Sequence, residues 1–281
     1  MNTTPSRYDL LYNPRLSVPD FAQITARWND ASERARARLD CYLDVPYADG
    51  TSECMDIFLS KGRSKGLLVF IHGGYWRAQD KAGYSFLANA LTQAGITLAV
   101  PNYALCPSVE VRNIVMQMVQ ACAWLYRNGT NFGAPAGPVF VCGHSAGGHL
   151  AAMMLSCHWP VYAADLPLKV VKAALSISGI FDLREIVKVP SINNDVRLMK
   201  KTAMTVSPAL LPPATDAPLY LAVGGSETGG FHSQHRLMTK RWKGVLAEDI
   251  ACPGDNHFTV LDNLTRPEST IFKAALRMMG F

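Results

Sequence analysis

The chain has 281 residues, 49% of them hydrophobic, and its 27 Lys and Arg residues against 22 Asp and Glu residues give a net charge of +5. Such a chain can bury a large core within one domain. The positive excess is scattered, without the basic stripe of a nucleic-acid-binding protein. No apolar run approaches the roughly 18 residues of a membrane span, and residues 1–15 lack the pattern of a signal peptide. Seven scattered cysteines without CxxC pairs predict free thiols. We therefore expect a cytoplasmic protein with neither nucleic-acid nor membrane partners.

The first predicted elements are a helix and a hairpin. Residues 19–39 place apolar side chains at three- and four-residue steps, a spacing typical of an amphipathic helix. Residues 41–47 and 53–59 alternate apolar and polar side chains. This alternation predicts an antiparallel hairpin at the edge of a sheet.

From residue 66 onward, short apolar runs alternate with helical patterns. The predicted strands lie at 66–71, 96–100, 138–142, 173–178, 218–223 and 245–250, and the predicted helices at about 84–94, 109–127, after 145, 231–242 and 268–279. Apolar strands that each precede a helix predict a mostly parallel sheet with helices on both faces. The Pro- and Asn-rich stretch 184–216 interrupts this rhythm and predicts a small cap insertion over the carboxyl end of the sheet, where such folds bind ligands. The sequence thus predicts one α/β domain over residues 1–281.

A candidate nucleophile lies between a predicted strand and a predicted helix. The segment 143–147 reads Gly-His-Ser-Ala-Gly, which fits the G-x-S-x-G nucleophile elbow in its required strand–turn–helix context. A junction of small residues with no chemical role is the alternative interpretation. The fit of both glycines and both flanking elements favours Ser145 as the nucleophile.

A glycine-rich loop follows the strand at 66–71 and reads HGGYW. A serine that transfers an acyl group needs N–H donors for the oxyanion, one from the residue after the nucleophile and others from an earlier loop. Ala146 is the first predicted donor. The others are expected among Gly73, Gly74 and Tyr75, with Gly74 and Tyr75 preferred. His72, at the strand end, is expected to be a structural hydrogen-bonding residue.

The base and the acid are expected late in the chain, because this type of site orders its residues as Ser, acid, His. His257 follows the last strand in a Pro-Gly-Asp-Asn loop, and Glu227 follows the strand before it. Asp182 and Asp255 are rival acids, interpreted as residues that stabilise the neighbouring loop and the histidine turn. The chain contains neither an H-E-x-x-H motif nor a clustered Cys/His ligand set, so we expect no metal and no cofactor.

These motifs resemble those of the α/β-hydrolase superfamily and, within it, the kynurenine formamidase (arylformamidase) group and its bacterial esterase relatives. The resemblance extends over nearly the whole chain. It includes the segments YNPRLSVPDF, HGGYW, GHSAG, SGIFDL and NHF. The segment VGGSETGGF is similar to the one that carries the acid in that group, although the acid there is often Asp, and the resemblance therefore supports Glu227.

The motifs and the resemblance together imply a serine hydrolase with Ser145, Glu227 and His257 as its triad. The expected reaction removes a formyl group from an aromatic amide. A carboxylesterase for short acyl esters would use the same residues, and a non-catalytic binding protein of this fold is an alternative from another class. Tyr75, Trp76 and Phe231 are expected either to line an aromatic substrate slot or to belong to the core. The sequence leaves open whether the protein is a monomer or a homo-oligomer.

Overall fold

The computed structural model describes residues 4–281, and its centre is a sheet of eight strands. The strands are β1 (Cys41–Pro46), β2 (Cys54–Phe58), β3 (Gly66–Ile71), β4 (Ile96–Pro101), β5 (Val139–His144), β6 (Val171–Ile177), β7 (Leu219–Gly224) and β8 (Leu246–Cys252). Their spatial order is β1-β2-β4-β3-β5-β6-β7-β8. Neighbours from β4 through β8 pair in parallel, whereas β1–β2 and β2–β4 pair antiparallel. The predicted mostly parallel sheet with an antiparallel hairpin at one edge is confirmed.

The apolar strands are explained by burial on both faces of the sheet. In β3, every residue is buried. Leu67, Val69 and Ile71 point into one core, and Leu68 and Phe70 point into the core on the opposite face. Successive side chains of a strand point to opposite faces, so a central strand covered on both sides must be apolar throughout. This arrangement leaves the strand ends as the places where polar residues can gather.

Helices cover both faces of the sheet. They are α1 (Arg7–Tyr12), α2 (Phe21–Arg38), α3 (Ala88–Gln93), α4 (Val111–Asn128), α5 (Ala146–Leu155), α6 (Trp159–Tyr162), α7 (Pro190–Val196), α8 (Lys200–Thr205), α9 (Gly229–Arg241), α10 (Thr259–Asp262) and α11 (Thr270–Met279). The helix expected near 84–94 is divided into a 3₁₀ segment, Lys81–Leu87, followed by α3. Its start is fixed by Asp80, whose side chain accepts a hydrogen bond from the Ala82 N–H at 2.9 Å. No helix within residues 4–281 is long and apolar enough to cross a membrane.

The segment 184–216 forms α7, α8 and two short 3₁₀ turns. The amino-terminal segment packs against it, because the Asp9 carboxylate accepts a hydrogen bond from the Ser191 N–H at 3.1 Å. Asp9 also closes a reciprocal capping box with Ser6 at the start of α1. Two segments far apart in sequence therefore contact each other.

Candidate active site

Ser145 occupies a sharp turn between β5 and α5. Its backbone angles are φ 57° and ψ −119°, a region that non-glycine residues rarely adopt. The turn requires glycine on either side, since a Cβ on Gly143 would lie 2.1 Å from the Gly147 carbonyl oxygen. A Cβ on Gly147 would lie 1.9 Å from the carbonyl oxygen of Ile71 in β3. The elbow predicted from the sequence has the geometry that such a turn needs.

Ser145, His257 and Glu227 form one hydrogen-bonded chain. The Ser145 Oγ lies 3.0 Å from His257 Nε2, and His257 Nδ1 lies 2.6 Å from the Glu227 Oε2. The three side chains come from the turns after β5, β7 and β8, at the carboxyl ends of these parallel strands. With the proton on Nδ1 held by the carboxylate, Nε2 is free to accept the proton of the serine hydroxyl. The structure thus brings together the three residues that the sequence nominated.

The Glu227 carboxylate is buried and fully hydrogen-bonded. Its second oxygen, Oε1, accepts hydrogen bonds from the Ser178 hydroxyl at 2.5 Å and from the Gly224 N–H at 2.8 Å. Burial alone would raise the pKa of Glu227, but the nearby His257 and these hydrogen bonds outweigh it, so the pKa is lowered. The carboxylate therefore stays ionised at neutral pH. Ser178 was missed in the sequence, because a serine after an apolar strand carries no spacing signal of its own.

The two rival acids have other partners. Asp182 binds the guanidinium of Arg184, with 2.7 Å between its Oδ2 and Nη2. Asp255 accepts a hydrogen bond from the Asn263 side-chain amide at 2.8 Å. Each carboxylate stabilises its own loop, in agreement with the structural interpretation that the sequence favoured for both.

The HGGYW loop lies directly against the nucleophile. A Cβ on Gly73 would lie 3.2 Å from the Ser145 Cβ. His72 is buried and stacked on Tyr103, with 4.2 Å between the ring centroids. Its Nδ1 lies 2.9 Å from the Gly73 carbonyl oxygen, and burial lowers the pKa of its imidazole. His72 thus supports the loop, as the sequence indicated.

The predicted oxyanion donors have unused N–H groups. The backbone N–H groups of Gly74, Tyr75 and Ala146 donate no hydrogen bond to any acceptor within residues 4–281. Gly74 has φ +100° and Tyr75 has φ 51°, so the chain turns sharply at this point. Free amides close to a serine at a helix start suit an anion. The assignment of Gly73, Gly74, Tyr75 and Ala146 to the oxyanion site stays a prediction.

Replacing Gly74 by valine is expected to lower kcat more than it raises KM. A Cβ at Gly74 would lie 2.1 Å from the Ala78 carbonyl oxygen, so the loop must move. Loss of one oxyanion donor lowers kcat by about 10²–10³-fold. Gly62→Val is the matched control, because Gly62 also has a positive φ (+79°) but has no atom within 4 Å of the built Cβ. Steady-state kinetics of both variants test the prediction, and a change in KM alone for Gly74→Val would contradict it.

A cavity of about 350 Å³ opens above the triad. Ser145, His144 and His257 line its base. Five aromatic side chains contribute to its walls: Phe21, Trp28, Tyr75, Tyr84 and Phe258. This volume is at the small end of ligand-binding pockets, which favours a ligand with about one aromatic ring.

The expectation for Trp76 and Phe231 as walls of the substrate slot is wrong, whereas Tyr75 does line the cavity. Trp76 is fully buried and donates its indole N–H to His149 Nδ1 at 3.2 Å. Phe231 is 1% exposed and packs on the His257 ring with 4.2 Å between centroids. Trp76 points away from the cavity although it is adjacent to Tyr75 in the loop, and Phe231 is buried on α9 behind His257.

Two further histidines next to the nucleophile are held neutral. His144 Nε2 lies 2.7 Å from the His257 carbonyl oxygen, and burial together with the neighbouring His257 lowers the pKa of His144 to about 3. His149 Nε2 lies 2.7 Å from the Val206 carbonyl oxygen, and burial lowers the pKa of His149 to about 4. Since Nδ1 of His149 accepts the indole hydrogen bond of Trp76, its Nε2 must carry the proton. His149 therefore connects the HGGYW loop with the segment 184–216.

The amino-terminal segment supplies a part of the cavity that the sequence did not reveal. Asn13, Pro14, Arg15 and Phe21 line it, and the Tyr75 hydroxyl donates a hydrogen bond to the Tyr12 carbonyl oxygen. The sequence of this segment resembles that of the formamidase group, but its composition carries no mark of a binding site. Ile192 and Asp195 of the segment 184–216 also line the cavity, and Asp195 pairs with Arg77.

The parallel sheet, the serine elbow and the strand-end residues define an α/β-hydrolase. Among solved structures, that of a candidate thioesterase from Silicibacter sp. TM1040 has a TM-score of 0.84 with 32% identity, covering 95% of this chain and 98% of that one. A structure of esterase B from Lactobacillus rhamnosis has a TM-score of 0.72 at 15% identity, covering 98% of this chain and 96% of that one, and supports the fold alone.

The BD-FAE family model matches residues 55–211, and the chain belongs to this family of hydrolases. It is also similar to the kynurenine formamidase of Danio rerio, with 28% identity over 290 residues that cover 99% of this chain and 94% of the relative. The kynurenine formamidase of Drosophila melanogaster is 28% identical over 92% of this chain and 88% of its own. The resemblance to α/β-hydrolases and to formamidases that the motifs indicated is confirmed.

Proposed function

We propose that the protein is a serine hydrolase that needs no cofactor and removes a formyl group from an aromatic amide of the N-formylkynurenine type. The observation that carries this proposal is the hydrogen-bonded chain Glu227–His257–Ser145 at the base of an aromatic cavity. Full-length similarity to the kynurenine formamidases of fish and fly supports the choice of substrate class.

The proposed reaction has two halves. His257 Nε2 takes the proton of the Ser145 hydroxyl while Oγ attacks the formyl carbon, and the oxyanion is bound by the free amides of the HGGYW loop and Ala146. His257 then protonates the departing nitrogen, and the C–N bond breaks. In the second half His257 activates a water molecule, which releases formate and restores the hydroxyl. Glu227 keeps the proton of neutral His257 on Nδ1 and stabilises the imidazolium.

The dimensions of the cavity support a small acyl group on an aromatic leaving group. A cavity of about 350 Å³ holds roughly one ring with its substituents. The rings of Phe21 and Phe258 pack at a tilt of 50° with 4.7 Å between their centroids and present aromatic surface next to His257. A formyl group needs little room beside Ser145, so most of the volume is left for the leaving group.

A carboxylesterase for short acyl esters is the second candidate. The same triad would act on an ester, and the chain has the fold of solved esterases. A non-catalytic binding protein is disfavoured, because ligand binding alone requires neither an ordered Ser–His–Glu chain nor free amides beside the serine.

A comparison of two substrate classes tests the proposal. We expect kcat/KM for N-formyl-L-kynurenine to exceed that for p-nitrophenyl acetate and butyrate by a factor of at least about 10, a difference of about 1.4 kcal/mol in transition-state stabilisation. A fluorophosphonate probe labels a reactive serine. If the formamide and the esters each block this labelling, the two substrate classes use the same serine. A preference for the esters would favour the carboxylesterase, and absence of labelling together with absence of turnover would favour the binding protein.

A further inference from the structure

The cavity above Ser145 carries an uncompensated positive charge. Three side chains with a permanent charge line it: Arg15, Arg77 and Asp195. Arg77 and Asp195 form an ion pair with each other. Within residues 4–281, no carboxylate lies within ion-pair distance of Arg15. Arginine carries its charge at every pH of a normal assay, so one cation of the lining is left for a ligand.

Arg15 lies on the aromatic wall of the cavity that extends to His257. Its guanidinium carbon lies 4.6 Å from the centroid of the Phe21 ring, a distance typical of a cation–π contact. The Phe21 ring packs at a tilt of 50° against Phe258, and Phe258 packs edge-on against His257 with 5.3 Å between centroids. A ligand ring on this wall would have its reacting end near His257 and its far end near Arg15.

The backbone around Arg15 is held in place. Residues Pro14–Leu16 form a 3₁₀ turn, and the Ser17 hydroxyl donates a hydrogen bond to the Pro14 carbonyl oxygen at 3.0 Å. The Asn13 side-chain amide lies 3.3 Å from the Ser191 hydroxyl of the cap. The guanidinium is therefore presented from an anchored turn, and its exposed face has no protein partner to displace.

We infer that Arg15 binds a carboxylate on the leaving-group side of the substrate, which makes anionic aromatic amides or esters the preferred substrate class. The guanidinium fork matches the two oxygens of a carboxylate and forms charge-assisted hydrogen bonds. This inference rests on the proposed function, since it takes Ser145 as the reacting end. Arg15 acts here on binding and specificity and takes no part in the bond-breaking step.

A pair of ligands that differ in one charge tests the inference without turnover. Calorimetric titration compares 3-(4-hydroxyphenyl)propanoate with its uncharged amide. We expect the wild type to bind the carboxylate about tenfold more tightly, as one charge-assisted contact allows, and this preference to shrink as salt is added. Arg15→Gln is expected to bind both ligands equally, and Arg15→Lys is expected to retain part of the preference.

Arg63→Gln is the matched control, because Arg63 is exposed and lies before β3, at the end of the strand away from the cavity. It is expected to keep the full preference. Equal binding of both ligands by the wild type would overturn the inference, as would a preference that survives in Arg15→Gln. The readout is binding, so failure of the proposed function appears separately, as loss of hydrolysis of every formamide and ester in a protein that still prefers the carboxylate.

The same variants give a kinetic readout with 3-(4-acetoxyphenyl)propanoate and its amide. Arg15→Gln is expected to raise KM for the anionic ester about tenfold and to change kcat less than about twofold, because the contact is present in both ground and transition states. The neutral ester is expected to be unaffected. A fall in kcat for both esters would show that Arg15 supports the fold of the site, which would contradict the inference.

Discussion

The Ser145→Ala variant is expected to lose about 10⁶-fold in kcat, the size of loss that follows removal of a nucleophilic serine. Ser145 Oγ lies 3.0 Å from His257 Nε2, and removing it leaves the base without a proton to accept. Alanine retains the Cβ and removes only the hydroxyl, so the elbow is expected to persist. Assays with the formamide and with p-nitrophenyl acetate measure the loss, and calorimetric titration with the formamide is expected to detect binding.

Ser156→Ala is the matched control for the nucleophile. Ser156 follows α5, at the opposite end of the helix from Ser145, and its hydroxyl has no hydrogen-bond partner within residues 4–281. The control is expected to retain wild-type kcat and to react with a fluorophosphonate probe, whereas Ser145→Ala is not labelled. Near-normal turnover by folded Ser145→Ala would refute the serine mechanism.

The Glu227→Gln variant is expected to lose about 10⁴-fold in kcat, as does the corresponding Asp→Asn change in a serine protease. The two carboxylate oxygens of Glu227 have different hydrogen-bond partners, and this difference fixes the orientation of the glutamine. Ser178 and Gly224 both donate to Oε1, so the glutamine is held with its oxygen toward them. Its NH₂ group then faces His257 Nδ1, which must become an acceptor. The proton of the imidazole moves to Nε2, the atom that should accept the proton of Ser145.

Asp182→Asn is the matched control for the acid. It removes the same charge from a carboxylate that also follows a strand but pairs with Arg184. We expect kcat to stay within about twofold of wild type and the melting temperature to fall, because the ion pair is partly buried. Inactive, folded Asp182→Asn together with active Glu227→Gln would reverse the assignment of the acid.

The sequence predicted what depends on local pattern and chain order. Strand β3 was visible because burial on both faces forces an unbroken apolar run, and Ser145 because close packing of backbone requires Gly143 and Gly147. His257 and Glu227 followed from their places after the last two strands. Each of these features can be predicted from a short local pattern or from the order of the elements along the chain.

Features that depend on contacts between distant segments could not be predicted from the sequence. Trp76 and Tyr75 are neighbours in the chain, yet one is buried against His149 and the other lines the cavity. Arg15 reaches the site through the packing of the amino-terminal segment on the segment 184–216, and Ser178 through the convergence of two strand ends. The pattern of a single sequence does not encode these contacts, because the contacts depend on which segments pack together in three dimensions.

The neutral state of His149 has a consequence for the acid tolerance of the fold. In the unfolded chain a histidine binds a proton near pH 6.5, whereas buried His149 does so only near pH 4. Above pH 6.5 His149 is neutral in both the folded and the unfolded state, so its lowered pKa does not change the free energy of unfolding. Between pH 6.5 and about 4 the unfolded chain alone gains the proton, so the free energy of unfolding decreases as the pH falls, by on the order of 3 kcal/mol. Protonation would also turn His149 Nδ1 into a donor that faces the indole N–H of Trp76. Acidification therefore weakens the connection that His149 makes between the HGGYW loop and the segment 184–216.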